Sequence, residues 1–317
     1  MNRRTLIIAV GALLACSAIA LRPRTNASAK LALQEAASTA PSQLDLKLPL
    51  DQKSVRFVVI GDNGTGESAQ YEVAGRMEAY RKVVGYDFVT MMGDNIYGGH
   101  KPKDFEQKFE IPYKPLLDAG VKFYACLGNH DDSNETLYKP FNMNGQRYYS
   151  FKKGDVQFFV LDSNYMDSAQ LDWIDRQLSS SSAKWKIAYF HHPLYSDGRF
   201  HGPDLDLRKQ LMPLFGKYGL NVVLSGHDHV YERFKPEEGI YFFLVGNSGQ
   251  LRYRNLRQGS GIMAAGFDTD CSFMIVEISG DKLYFQTVSR TGQTVDSGVM
   301  QRQSKPQTAS QAAGQIR

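Results

Sequence analysis

Cysteine is scarce in this chain, and so is net charge. Three cysteines in 317 residues exclude a small disulfide-stapled scaffold. Cys16 lies in the leader, which leaves Cys126 and Cys271, and the sequence does not say whether they pair. A formal net charge of +4 owes much to the two ends, where Arg3, Arg4, Arg22, Arg24, Arg302 and Arg317 lie. No basic stripe marks a nucleic-acid footprint. No segment repeats with a fixed period. Past residue 20 no apolar run is long enough to span a membrane. Histidine is also rare, at seven residues, so the places where it clusters carry information. What remains, 42% hydrophobic and 22% charged, is an ordinary globular balance, with length for a large core in one or two domains.

Residues 1–29 read as a signal peptide. Arg3 and Arg4 precede an apolar stretch over 6–20, and Ala27-Ser28-Ala29 suits cleavage. Asn2-Arg3-Arg4-Thr5-Leu6-Ile7 also suits a twin-arginine signal, and Leu13-Leu14-Ala15-Cys16 loosely suits lipid attachment at Cys16. The protein is expected to be exported, periplasmic or extracellular, with no transmembrane domain once mature. Residues 30–50 form a lead-in, 51–300 a catalytic domain, and 301–317 (rich in Gln, Ala, Ser and Pro) a disordered tail.

Between these ends, strand-like runs at 55–60, 86–92 and 121–127 alternate with helical stretches at about 67–84 and 104–117. That order signals a sheet with helices on its faces. Further strands are expected at 148–152, 156–161 and 185–190. Helices are expected at 168–178, with Leu171, Ile174 and Leu178 on one face, and at 205–218. Strands at 240–245, 272–278 and 282–287 suit hairpins in a second sheet.

Five apolar runs end in ligand-type residues. They deliver Gly61-Asp62-Asn63-Gly64, Gly93-Asp94-Asn95-Ile96-Tyr97, Gly128-Asn129-His130-Asp131, His191-His192-Pro193 and Gly226-His227-Asp228-His229. Five such layouts point to strand ends that share one cleft. Carboxylates, a phenol, an amide and imidazoles without thiolate favour iron, zinc or manganese. There are too many donors for one tetrahedral ion, so two metals sharing a carboxylate fit better, the usual arrangement for phosphoryl hydrolysis. The glycines at 61, 64 and 66 lack the G-x-G-x-x-G spacing and the lysine of a phosphate loop. They are read instead as letting the backbone turn so that Asp62 is held at the strand end.

These motifs resemble the calcineurin-like metallophosphoesterases, and more closely the purple acid phosphatases of the short, tartrate-resistant kind, over residues 55–290. The resemblance implies an α/β fold: a four-layer αββα sandwich of two mixed β-sheets flanked by helices. It implies that Asp62, Asp94, Tyr97 and His229 hold iron(III). Asp94 would bridge to a divalent iron, zinc or manganese completed by Asn129, His191 and His227. It implies a phosphate monoester hydrolase with an acidic optimum, in which metal-bound hydroxide attacks phosphorus in a small-molecule or protein phosphoester. His130 would orient the phosphoryl group and His201 protonate the leaving group. His192 is expected behind the ligands or along the pocket wall, His100 could face the cleft, and one of Arg252, Arg254 and Arg257 could meet an anionic substrate. A single compact catalytic domain is expected, without the long fibronectin-like domain that the large plant-type members carry. A phosphodiesterase or nucleotidase on the same metal core is the near alternative. A catalytically silent, metal-stabilised binding protein is the distant one.

Overall fold

The computed structural model describes residues 44–303. Targeting and lipid signals and the end of the expected tail lie outside the described residues. Strand β1 (Val55–Ile60) leads into helix α1 (Ser68–Val84), followed by β2 (Phe88–Met91) and β3 (Lys122–Ala125). The three strands pair in parallel, Phe57 opposite Phe88 and Val89 opposite Phe123. Then come β4 (Tyr149–Lys153), β5 (Val156–Val160), α2 (Ser168–Ser180), β6 (Trp185–Tyr189), α3 (Leu205–Tyr218) and β7 (Val222–Ser225). The chain continues through β8 (Tyr231–Phe234), β9 (Tyr241–Val245), β10 (Met263–Phe267), β11 (Ser272–Ser279), β12 (Lys282–Ser289) and β13 (Thr294–Gln301). Among the described residues no helix is long and apolar enough to cross a membrane.

Two mixed sheets result. The first runs β13-β12-β11-β1-β2-β3, the second β10-β8-β9-β7-β6-β5-β4. Side chains alternate across each strand, and this sorts the layers. On β5, Phe158 points between the sheets and meets Phe57 edge-on at 5.2 Å. Its neighbour Phe159 points the other way, into a cluster with Ile174 and Leu178 of α2 and Leu211 and Phe215 of α3. On β9, Phe243 meets Phe285 edge-on between the sheets at 5.0 Å, while Phe242 joins the helix cluster. On the far side of the first sheet, Tyr80 of α1 meets Phe273 of β11 at 6.0 Å. The four-layer αββα sandwich follows.

The C-terminal strands correct one expectation. β11 and β12 belong to the first sheet: β11 runs antiparallel to β1, with Phe57 opposite Val276. Only β9 of the three expected hairpin strands joins the second. β8, β10 and β13 are additional. The helix expected over 104–117 is broken into Pro102–Phe105, a π-turn at Glu106–Glu110 and Lys114–Asp118. Pro115 in the first turn of the last piece offers no amide to the preceding one. Residues 45–51 lie on the first sheet: Leu50 and Asp51 donate their amides to the buried Glu277 at 2.9 and 2.6 Å. Cys126 and Cys271 are buried and do not pair.

β1, β2 and β3 run parallel, as do β5, β6, β7 and β9. All seven present their C-terminal ends along one edge of the sandwich. In sheets of this kind that edge is where ligands bind.

Candidate metal centre

Every expected ligand follows one of these strand ends. Asp62 comes two residues after β1, and Asp94 and Tyr97 follow β2. Asn129 follows β3, His191 follows β6, and His227 and His229 follow β7. The turns are tight, and their conformation is unusual. Asp62, Asp94 and His227 all take left-handed backbone angles, with φ of 52°, 51° and 74°. Non-glycine residues avoid that region, and its use clusters at functional sites. Asp62 thus makes the turn itself. Gly64 is needed for another reason, since a Cβ there would stand 1.7 Å from the Asn95 carbonyl oxygen.

Two ligand groups form. In the first, the Tyr97 hydroxyl lies 2.8 Å from Asp94 Oδ2, 3.2 Å from Asp62 Oδ1 and 3.2 Å from His229 Nε2. One phenolic proton cannot satisfy both carboxylates. Burial, and then the charge of Asp94 against the pull of His191, leaves Asp62 well above the usual carboxylate range. Burial works against Asp94 too, yet His191 and the His130 amide hold it low. Burial and both carboxylates push the Tyr97 phenol upward. Three acidic groups packed this closely favour an intervening cation.

In the second group, His191 Nδ1 faces the Met92 carbonyl at 2.8 Å and must be its donor. In the neutral form that binds metals, the ring's lone pair is then on Nε2. It faces the Asn129 carbonyl oxygen at 2.9 Å and His227 Nδ1 at 3.0 Å. An acceptor set against an acceptor again suits a cation. Burial lowers the pKa of His227, and brings His192 and His229 down to about 4, so the rings are neutral donors. Hard oxygens and one imidazole on one side, imidazoles and an amide on the other, fit two ions of different character. Asp94 stands between them, with Oδ2 toward Tyr97 and Oδ1 3.5 Å from His191 Nε2.

His192 stands beside the ligands and lines the adjoining pocket. Its ring is 4.5 Å from that of His227, and its ligand atom falls in one group with those of His191 and His227. Its Nδ1 is 2.9 Å from Ser163 Oγ. His130 is exposed, 5.0 Å ring to ring from Tyr97, and donates its amide to Asp94 Oδ1 at 3.0 Å. His201 is exposed at the rim, its ring 4.0 Å from His227. His100 belongs elsewhere: its Nε2 sits 3.2 Å from the buried Glu135, beside a separate cavity with Phe105 and Tyr138. Arg252 stacks on Phe200 at 3.4 Å.

Two aspartates inside the motifs turn out to hold the loops. Asp131 accepts the amides of Asn95 at 2.7 Å, Ile96 at 3.1 Å and Gly128 at 2.8 Å, tying the β2 loop to the β3 loop. Asp228 accepts the amides of His201 at 3.3 Å and Gly202 at 3.0 Å, and so positions the rim histidine. Both lie inside the ligand motifs, and their place between ligands is the signal that marks them.

Behind Asp228, Ser196 has one hydroxyl proton and two carboxylates in reach, Asp228 and the buried Glu232. Burial pushes Glu232 up to about 8, so it keeps a proton that resolves the conflict. Its unfolded value is near 4.5. Between these values the folded chain holds a proton that the unfolded chain releases, so this group's contribution to stability falls as pH rises from about 4.5 to 8. Thermal unfolding at pH 5 and pH 8 should therefore show a smaller pH difference in Glu232→Gln than in the parent. An unchanged difference contradicts the assignment.

The calcineurin-like phosphoesterase family model matches residues 55–231. The chain belongs to that family, and the fold and site define a metal-dependent phosphoester hydrolase. Within the family its likeness is to the acid phosphatases. Purple acid phosphatase 17 of Arabidopsis thaliana is 28% identical over 291 residues, spanning 75% of this chain and 85% of that protein. Human tartrate-resistant acid phosphatase type 5 is 27% identical over 302 residues, spanning 80% and 93%. The purple acid phosphatase PPD1 from yellow lupin seeds shares the fold with a TM-score of 0.67 at 19% identity, over 80% of this chain and 55% of that one.

Proposed function

We propose that the chain is a phosphate monoester hydrolase working in the acid range. Asp62, Asp94, Tyr97 and His229 would hold iron(III). Asn129, His191 and His227 would hold a divalent iron, zinc or manganese, with Asp94 shared between the two. The observation that carries this reading is the Asp94 carboxylate, one oxygen at Tyr97 and the other toward His191. Tyr97 supports the ferric assignment, because an anionic phenolate with two carboxylates matches a hard trivalent ion. Two such ions supply Lewis acidity, which lowers the pKa of water and polarises phosphoryl oxygens.

The chain's own residues do the rest. Asp62 and Asp94 set the negative charge of the centre, and the His130 amide fixes the Asp94 oxygen that faces His191. The exposed His130 ring would hold a phosphoryl oxygen. His201, its amide held by Asp228 and its ring beside His227, would give its proton to the departing alkoxide. General-acid help of this kind contributes about 10²–10⁴-fold. Small-molecule or protein phosphoesters are the substrates, and the protein is exported.

The test is the ratio of kcat/KM for p-nitrophenyl phosphate and bis(p-nitrophenyl) phosphate. The monoester should win by about tenfold or more, roughly 1.4 kcal/mol in the barrier, with its optimum below pH 7. A diester preference would make the chain a phosphodiesterase. No turnover by a metal-replete sample would leave a binding protein.

A further inference from the structure

A cavity of 580 Å³ adjoins the centre and is unused by the chemistry above. It is lined by Asn129 and His192, both beside the His191–His227 pair. Its volume suits a small organic group. A phosphoester held at the centre needs room on one side for its alcohol, and this cavity provides it.

The charges lining the cavity do not balance. Arg147 lines it, but its guanidinium is bound to the fully buried Asp162 at 2.6 Å. Asp131 is committed to backbone amides. Asp132 and Asp204 remain. Each caps a helical turn through Oδ1: Asp132 accepts the Asn134 amide at 2.8 Å, and Asp204 accepts those of Asp206 and Leu207 at 3.1 and 2.9 Å. Neither makes an ion pair with a lysine, arginine or histidine among the described residues. Two carboxylates without an ion-pair partner, in a partly enclosed cleft, attract a cation and repel an anion, and low-dielectric walls sharpen both effects.

We propose that this cavity receives the alcohol portion of the substrate and selects a cationic alcohol, one carrying an ammonium group. The inference rests on the phosphatase reading and names its substrate class. The reaction is unchanged. The P–O bond to the alcohol breaks, water supplies the new oxygen on phosphorus, and the alcohol leaves with a proton. The leaving oxygen lies by His201 and His227, and the rest of the alcohol passes His192 into the cavity.

The experiment measures phosphate release from three esters of similar size: phosphoethanolamine (cationic), propyl phosphate (neutral) and 2-phosphoglycolate (anionic). It compares the parent with the double variant Asp132→Asn, Asp204→Asn. Asparagine caps helices about as well as aspartate, so the turns are kept, and a thermal melt checks this. In the parent, kcat/KM should rank cationic over neutral over anionic, with about tenfold between the first two. In the double variant the three should fall within about twofold of one another. Equal rates in the parent, or the parent's ranking retained in the variant, overturn the proposal. Failure to hydrolyse any of the three would instead sink the phosphatase reading, and this inference with it.

Discussion

Asp94→Asn should lower kcat by about 10³-fold or more and cut bound metal from two ions per chain to one or none. The expectation comes from where the side chain sits. Oδ2 is 2.8 Å from the Tyr97 hydroxyl, and Oδ1 is 3.5 Å from His191 Nε2. An amide of the same shape keeps one oxygen and replaces the other with a donor. It also removes a negative charge from a centre whose other acids, Asp62 and Tyr97, are pushed upward by burial. The His130 amide still has an oxygen to reach, so the fold should survive. Metal content and kcat are measured on the same sample. Two ions per chain with near-parental kcat would show that Asp94 is not shared.

Gly128→Ala should cost about 10²-fold in kcat, although residue 128 offers no side-chain chemistry. A Cβ at that position would stand 2.2 Å from Asp94 Oδ1 and 2.3 Å from the Asp94 amide nitrogen. No rotamer relieves a clash with backbone, so the loop carrying Asp94 must move. The Gly128 amide is also bonded to Asp131, which holds the Asn95 and Ile96 amides, and the shift therefore reaches both loops. Gly75 is the matching control. It lies within α1 with nothing within 4 Å of a Cβ, so Gly75→Ala should stabilise by roughly 0.5–1 kcal/mol at unchanged kcat. A Gly128→Ala protein with the parent's kcat and melting temperature contradicts the close packing behind Asp94.

Much of this was readable from the sequence, for a physical reason. Strands buried on both faces are near-continuous apolar runs, so the ends of β1, β2, β3, β6 and β7 were visible where the runs stopped. The ligand-type residues came next, and the structure brings all seven expected ligands into two adjoining groups. Sheet membership was not visible. An apolar hairpin such as β11–β12 carries no mark of which neighbour it will pair with, and it chose β1. β13 reads T-V-D-S-G-V-M-Q, a half-exposed edge strand without a strong alternation. β8 is four residues long and contains Glu232 and Arg233.

Within the site, residue types were legible and conformations were not. The left-handed turns at Asp62, Asp94 and His227 are imposed by tertiary contacts, since the isolated residues disfavour them. The glycines after β1 read as letting the backbone turn to hold Asp62, yet Gly64 is there because Asn95 leaves no space. The end of β5 follows the same pattern of apolar run then polar residues, at Leu161-Asp162-Ser163, but holds no histidine to mark it. Asp162 and Ser163 line the cavity proposed to receive the alcohol.

The central claim is a two-metal centre with Tyr97 bound to iron(III). Metal analysis and a visible spectrum of the purified, metal-replete protein, beside Tyr97→Phe, test it most directly. Two metals per chain and a broad visible charge-transfer band, lost in Tyr97→Phe, are the predicted result. Two metals with no such band in the oxidised, iron-loaded parent would contradict the ferric-tyrosinate assignment, and no stoichiometric metal after reconstitution would contradict the centre itself.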